Sequence, residues 1–152
     1  MPPISLLIVD DEQEFAEIIA QRLNKRGFIA TTADSGETAL RCLHDDIDVV
    51  LLDVVMLGMD GIETLNAIRH NHPLIEVIML TGQATVDTAV RAIKLGAFNY
   101  LIKPCEIDDL VSHVEEALKR KRDRESRILE VRMKPYLSEE KRKGMIAEIL
   151  EN

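Results

Sequence analysis

The chain has 152 residues, 46% hydrophobic and 30% charged, with a net charge of −8. That is room for one compact domain and a short appendage, in a mixture that excludes a disordered or fibrous chain. Two cysteines, Cys42 and Cys105, exclude a disulfide scaffold and lack zinc spacing.

Five short apolar runs begin near Ile4, Phe28, Asp48, Ile75 and Phe98, and segments with helical spacing separate them. After the first run, Phe15, Ile18, Ile19 and Leu23 form a stripe that Gly27 stops. Ser35 is a candidate N-cap for a helix carrying Ala39, Leu40 and Leu43. A third helix is expected from about Gly61 to His70, with Ile62, Leu65 and Ile68 inward and Pro73 enforcing its end. Val86, Ala89, Val90 and Ile93 mark a fourth, terminated by Gly96. The fifth starts near Glu106 and carries Leu110, Val114, Ala117 and Leu118. Strict alternation of strand and helix means parallel pairing through right-handed crossovers. The expected fold is therefore α/β: a five-stranded doubly wound, flavodoxin-like parallel sheet in order 2-1-3-4-5 with five flanking helices.

The chain after the fifth helix differs in character. From Lys119 onward 11 Lys/Arg stand against 7 Asp/Glu, a balance of +4, and the preceding part holds −12. Good helix formers carry the charged run toward Met133, Pro135 stops it, and Ser138 is a candidate N-cap for a last helix with Met145, Ile146, Ile149 and Leu150 on one side. A helix this short is marginal alone, so its apolar side must pack on the domain, a second copy or a partner. The division expected is a domain over 1–120 and a helical extension over 121–152. With three Phe, two Tyr and no recognition-helix motif, nucleic-acid binding is not expected. Met1-Pro2-Pro3 opens no secretory leader, and no apolar run nears the roughly 20 residues that span a bilayer, so a cytoplasmic location without a membrane partner is expected.

Chemistry gathers at the ends of the apolar runs. Asp10 and Asp11 follow the first, Asp53 follows Val49-Val50-Leu51-Leu52, Thr81 follows the fourth and Lys103 the fifth. In a doubly wound sheet the carboxyl ends of the strands share one rim, and the first and third strands flank its switch point. Three carboxylates crowded there raise one another's pKa. A hard divalent cation relieves the conflict, and magnesium suits a set of carboxylates, a backbone carbonyl, waters and a phosphate oxygen. One carboxylate can then serve as nucleophile toward a phosphoryl group, whose equatorial charge Lys103 and the Thr81 hydroxyl would meet. Each residue alone has an ordinary reading: helix-start acids, a solvated strand-ending acid, a surface lysine, an N-cap threonine. It is their conjunction at four strand ends that points to phosphoryl chemistry.

These residues carry a resemblance. Asp10-Asp11, Asp53, Thr81-Gly82 and Lys103-Pro104, with Leu52-Asp53-Val54-Val55-Met56-Leu57-Gly58-Met59-Asp60-Gly61 and Gly96-Ala97-Phe98-Asn99-Tyr100-Leu101-Ile102-Lys103-Pro104, resemble the CheY-like receiver domain of two-component response regulators over roughly residues 3 to 120. The resemblance implies that Asp53 accepts a phosphoryl group from a sensor histidine kinase or phosphotransfer protein. It implies Mg²⁺ held by Asp11, Asp53 and the Val55 backbone carbonyl, with Asp10 acting through water. Thr81 and Lys103 would hold phosphoryl oxygens, Tyr100 would be a rotating switch, and Lys103-Pro104 would be cis. Signalling would pass by protein contact, through a homodimer on the fourth helix, fifth strand and fifth helix face or through the C-terminal extension, or to an output partner. Two departures are Leu57, where the family most often has proline, and Cys105, where a bulky apolar residue is common. Val55 and Gln83 occupy positions that influence phosphoaspartate hydrolysis in the family; apolar Val55 cannot orient a water, so slow autodephosphorylation is expected. The alternatives are a Mg²⁺-dependent phosphohydrolase using Asp53, and an interaction module that never takes phosphate.

Overall fold

The computed structural model describes residues 3–151. Its strands are β1 (Ser5–Val9), β2 (Ile29–Ala33), β3 (Val49–Leu52), β4 (Glu76–Thr81) and β5 (Asn99–Ile102), all parallel, in the order β2-β1-β3-β4-β5. Between them run α1 (Gln13–Lys25), α2 (Gly36–Cys42), α3 (Gly61–Asn71) and α4 (Val86–Lys94); α5 (Ile107–Arg132) and α6 (Glu139–Glu151) follow.

Burial on both faces explains why the strands are continuous apolar runs rather than alternating ones. Side chains with one parity (Leu7, Val9, Val50, Leu52, Val77, Met79) pack with Ile62, Leu65 and Ile68 of α3. Those with the other parity (Leu6, Ile8, Val49, Leu51, Ile78, Leu80) pack with Ile19 and Leu23 of α1 and with Leu110, Val114 and Ala117 of α5. The helix starts follow local chemistry. Ser35, Asp60 and Thr85 each accept a backbone N–H three residues on, at 3.1, 2.8 and 3.1 Å. At the other end of α1, Gly27 takes φ +93°, which a side chain would disfavour.

Two apolar stripes are not what the helical spacing suggested. In α1 the buried set is Ala16, Ile19, Ala20 and Leu23, and Ile18 faces solvent. In α4 only Ala92 is buried, whereas Val86 is 83% exposed and Val90 and Ile93 are also open. Periodicity reveals that a helix has an apolar side; what that side meets depends on the elements beside it.

The charged run after Leu118 continues α5 without a break as far as Arg132, and Met133 is its C-cap. Lys141 N–H donates to Ser138 Oγ at the start of α6. That helix folds back so that Ile149, with Met145, Ile146 and Leu150 beside it, covers Ile128 and Val131 of α5 together with Leu74 and Leu137. Residues 120 and 121, where a boundary between domain and extension was expected, both lie inside α5.

Candidate functional site at the carboxyl ends of the strands

Register brings the strand ends together. Val9 pairs with Leu52, so Asp10 and Asp53 leave neighbouring strands at the same level, and Asp53 N–H donates to the Val9 carbonyl at 3.0 Å. On the other side Thr81 pairs with Ile102, and Lys103 N–H donates to the Thr81 carbonyl at 2.8 Å. From the end of β5, Lys103 Nζ reaches Asp10 Oδ2 at 2.6 Å and Asp53 Oδ2 at 3.5 Å. The rim is thus a set of acids from β1 and β3 joined to a cation from β5.

The three acids differ in surroundings. Asp10 is buried: its Oδ1 accepts Glu12 N–H at 2.9 Å and its Oδ2 accepts Lys103. Burial raises the Asp10 pKa, only partly offset by the bonds from Lys103 and Glu12, and the Asp53 charge adds to the rise. Asp11 is exposed, with Oδ2 near Leu57 N–H at 3.4 Å. Asp53 is buried, and its Oδ1 has no hydrogen-bond partner. For Lys103, burial alone would lower the pKa, but the Asp10 hydrogen bond and the charges of Asp10, Asp53 and Glu12 outweigh it, and the net direction is upward. The lysine is a fixed cation.

One carboxylate oxygen each from Asp10, Asp11 and Asp53 lie within 4.8 Å of one another. A lone buried carboxylate oxygen with no donor is costly. Three hard oxygen donors around such an orphan are the donor set a small divalent cation takes. The residues present therefore fit Mg²⁺.

Thr81 is fully buried, and its Oγ1 accepts Gln83 N–H at 3.1 Å. Val55 is exposed in the loop after Asp53. Tyr100 is half-buried against the α3–α4 side of the core, and its hydroxyl lies 2.7 Å from Thr88 Oγ1 in the first turn of α4. So the structure gathers Asp10, Asp11, Asp53 and Lys103 into one cluster, joins Thr81 to it through the backbone, and ties Tyr100 to α4. Lys103-Pro104 is cis.

Four further residues shape the site. Glu12 Oε1 lies 3.7 Å from Lys103 Nζ, and the Phe15 ring lies under that ammonium with its centroid at 4.1 Å. Glu37 accepts Met59 N–H at 2.9 Å, anchoring the loop after Asp53 from α2. Gly61 stands so close to that loop that a Cβ would come within 2.0 Å of the Asp53 carbonyl. Of these, only Glu12 had a signal in sequence, as a third consecutive acid. Phe15 reads there as core, Gly61 acts on the loop it closes, and Glu37 reaches Met59 from α2, 22 residues away.

Residues 6–115 match the family described as the response regulator receiver domain. The chain belongs to that family. Its relatives include the transcriptional regulatory protein ZraR of Escherichia coli K12, 41% identical over 116 residues that cover 76% of this chain and 26% of that protein. Among solved structures, a CheY-like response regulator receiver domain protein from Methanospirillum hungatei JF-1 superposes with a TM-score of 0.77 at 26% identity, covering 80% of this chain and 98% of that one. NtrX from Brucella abortus, solved with ADP, gives a TM-score of 0.77 at 32% identity over 84% of this chain and 30% of its own. The chain spans about a quarter of the length of the curated relatives it matches. It is a receiver domain of two-component systems, a family whose mechanism is phosphorylation on an aspartate beside an acidic Mg²⁺ pocket. Among the described residues no helix is long and apolar enough to cross a membrane.

Proposed function

We propose that Asp53 is the phosphoacceptor and that Asp10, Asp11, Asp53 and the Val55 backbone carbonyl hold the Mg²⁺. The observation that carries this reading is the buried Asp53 carboxylate, with one oxygen 3.5 Å from Lys103 Nζ and the other unpartnered inside a cluster of acids. A bound Mg²⁺ supplies positive charge that lets anionic phosphate approach anionic Asp53. The donor is a phosphohistidine of a sensor histidine kinase or phosphotransfer protein. An Asp53 oxygen forms the new O–P bond as the P–N bond breaks, and the imidazole leaves with the electron pair and takes a proton. Lys103 meets charge on the equatorial oxygens. Thr81 Oγ1 already accepts from Gln83, which leaves its own proton to donate to a phosphoryl oxygen.

The same contacts connect the site to a surface. Drawing Thr81 toward the phosphoryl group opens space for Tyr100, whose inward turn must break its bond to Thr88 and so loosen the first turn of α4. That biases a two-state equilibrium, and the face carrying Val86, Val90 and Ile93 of α4 and Ile102 of β5 changes its fit to a second copy or a target. The α5–α6 extension is the other surface offered for such contact.

The experiment is incubation with acetyl phosphate and Mg²⁺ followed by intact mass. One phosphoryl group is expected on wild type and none on Asp53→Ala. Continuous release of many equivalents of phosphate from an ester would make the protein a hydrolase; no uptake at all would make it a plain interaction module. The apolar side chain of Val55 predicts slow loss of the phosphoryl group, and a lifetime of seconds in a phosphate-release assay would overturn that.

A further inference from the structure

Lys103 Nζ sits among four groups. Three are carboxylates: Asp10 at 2.6 Å, Asp53 at 3.5 Å and Glu12 at 3.7 Å. The fourth is the face of Phe15, whose centroid is 4.1 Å from the nitrogen. The carboxylates pull in different directions. Asp10 is buried, whereas the Glu12 side chain is 70% exposed and draws the ammonium outward. A four-carbon stem is flexible enough to follow any of them.

Phe15 is the uncharged member of this set. It lies in the first turn of α1, half-buried, packed against the core between α1 and α5. An aromatic face attracts a cation through its quadrupole, most strongly where water is excluded. An aliphatic side chain of similar volume would exclude the water without attracting the charge. The helix that follows the two β1 acids thus supplies the floor under the β5 lysine.

We propose that Phe15 is a positioning residue for phosphoryl transfer: its ring holds the Lys103 ammonium inside the acid cluster, beside Asp53 and away from Glu12. The proposal rests on Asp53 as phosphoacceptor and Lys103 as the phosphoryl contact. Ring identity, rather than bulk, is what it requires.

The test compares wild type with Phe15→Leu and Phe15→Tyr, reading the rate of phosphorylation by acetyl phosphate and Mg²⁺ through intact mass. Phe15→Leu is expected to slow the reaction about three- to tenfold, with Phe15→Tyr within about twofold of wild type. In parallel, proton NMR reads the ring-current shift of the Lys103 ε-methylene, expected in wild type and Phe15→Tyr and lost in Phe15→Leu. Equal slowing in both variants would overturn the proposal, since loss of packing would then suffice. So would an unchanged rate in Phe15→Leu, or an unchanged ε-methylene shift. Asp53→Asn is the separate control: phosphoryl uptake by that variant would overturn the assignment of Asp53 whatever Phe15 does.

Discussion

At the carboxyl end of the sheet three carboxylates, Asp10, Glu12 and Asp53, share the Lys103 ammonium, and Asp11 stands beside them. At the amino end a single carboxylate, Glu76, is shared by three guanidiniums. Glu76 opens β4, is fully buried, and binds Arg120 through both its oxygens. Arg124 Nη1 lies 3.4 Å from it and Arg69 Nη1 4.0 Å. The surplus of positive charge is met by the end of α6, where the Leu150 carbonyl accepts from Arg124 at 2.7 Å and Arg69 at 3.3 Å. A helix's last carbonyls are unpaired and carry its negative end, so they suit two arginines. Beside this cluster Lys121, itself buried, is 3.1 Å from Asp48 and 3.3 Å from Glu125.

The two ends share a sheet and differ in closure. At the base, Glu76 and the end of α6 give each of the three guanidiniums a partner, and only Arg124 Nε is left without one among them. At the rim, Asp53 Oδ1 stays unpartnered, Asp11 is open to solvent, and the negative surplus awaits a cation. Imbalance that the fold neutralises itself holds structure together; imbalance left standing beside solvent marks chemistry.

The largest effect is expected from opening the closed end. Glu76→Ala strands three guanidiniums and should cost about 3–5 kcal/mol in urea unfolding, as breaking a buried pair does. A loss under 1 kcal/mol would mean that the base is wet and the comparison mistaken. Next comes filling the open end. Mg²⁺ should raise the melting temperature, by the equivalent of about 2.7 kcal/mol at a hundredfold excess over its dissociation constant. Asp53→Ala should abolish most of that gain, and Glu76→Ala should leave Mg²⁺ affinity unchanged if the ends are independent.

Ile149→Ala uncovers Ile128 and Val131 and should cost about 2 kcal/mol, at the low end for a buried isoleucine because the cluster it joins is small. Phosphorylation of that variant should match wild type. The smallest effect concerns the loop after Asp53. The Met59 N–H holds the Glu37 carboxyl below its usual pKa. A lowered folded-state pKa contributes stability that is present above the unfolded value and disappears as pH falls through the folded one. Glu37→Gln should therefore flatten the acid limb of a melting-temperature profile by slightly lowering its neutral-pH plateau, with the low-pH end unchanged.

The rim was legible because its members are each adjacent to something conspicuous. Asp53 and Lys103 end apolar runs, and a parallel sheet sends all such ends to one side. The base was not. Within Ile75-Glu76-Val77-Ile78-Met79-Leu80 the glutamate is a lone acid in a strand, and its partners Arg120 and Arg124 are 44 and 48 residues away with no spacing to announce them. In the same way the run from Lys119 to Arg127 reads as a solvated surface, yet Lys121 and Arg124 are buried in it. For α4 the pattern was visible but its meaning was not: Val86, Val90 and Ile93 have core spacing and face outward.

By itself, the order of residues determined the alternation of strand and helix, the parallel sheet with its 2-1-3-4-5 order, and the identity of the acids and the lysine at its rim. These follow from local periodicity and from the handedness of crossovers, which leave few arrangements open. Tertiary structure alone decided which apolar helix faces were covered, that Phe15 lies beneath Lys103, and that α6 returns to close the base over Glu76. Those outcomes depend on contacts between elements far apart in the chain, and a charged or apolar side chain carries no local mark of the partner it will meet.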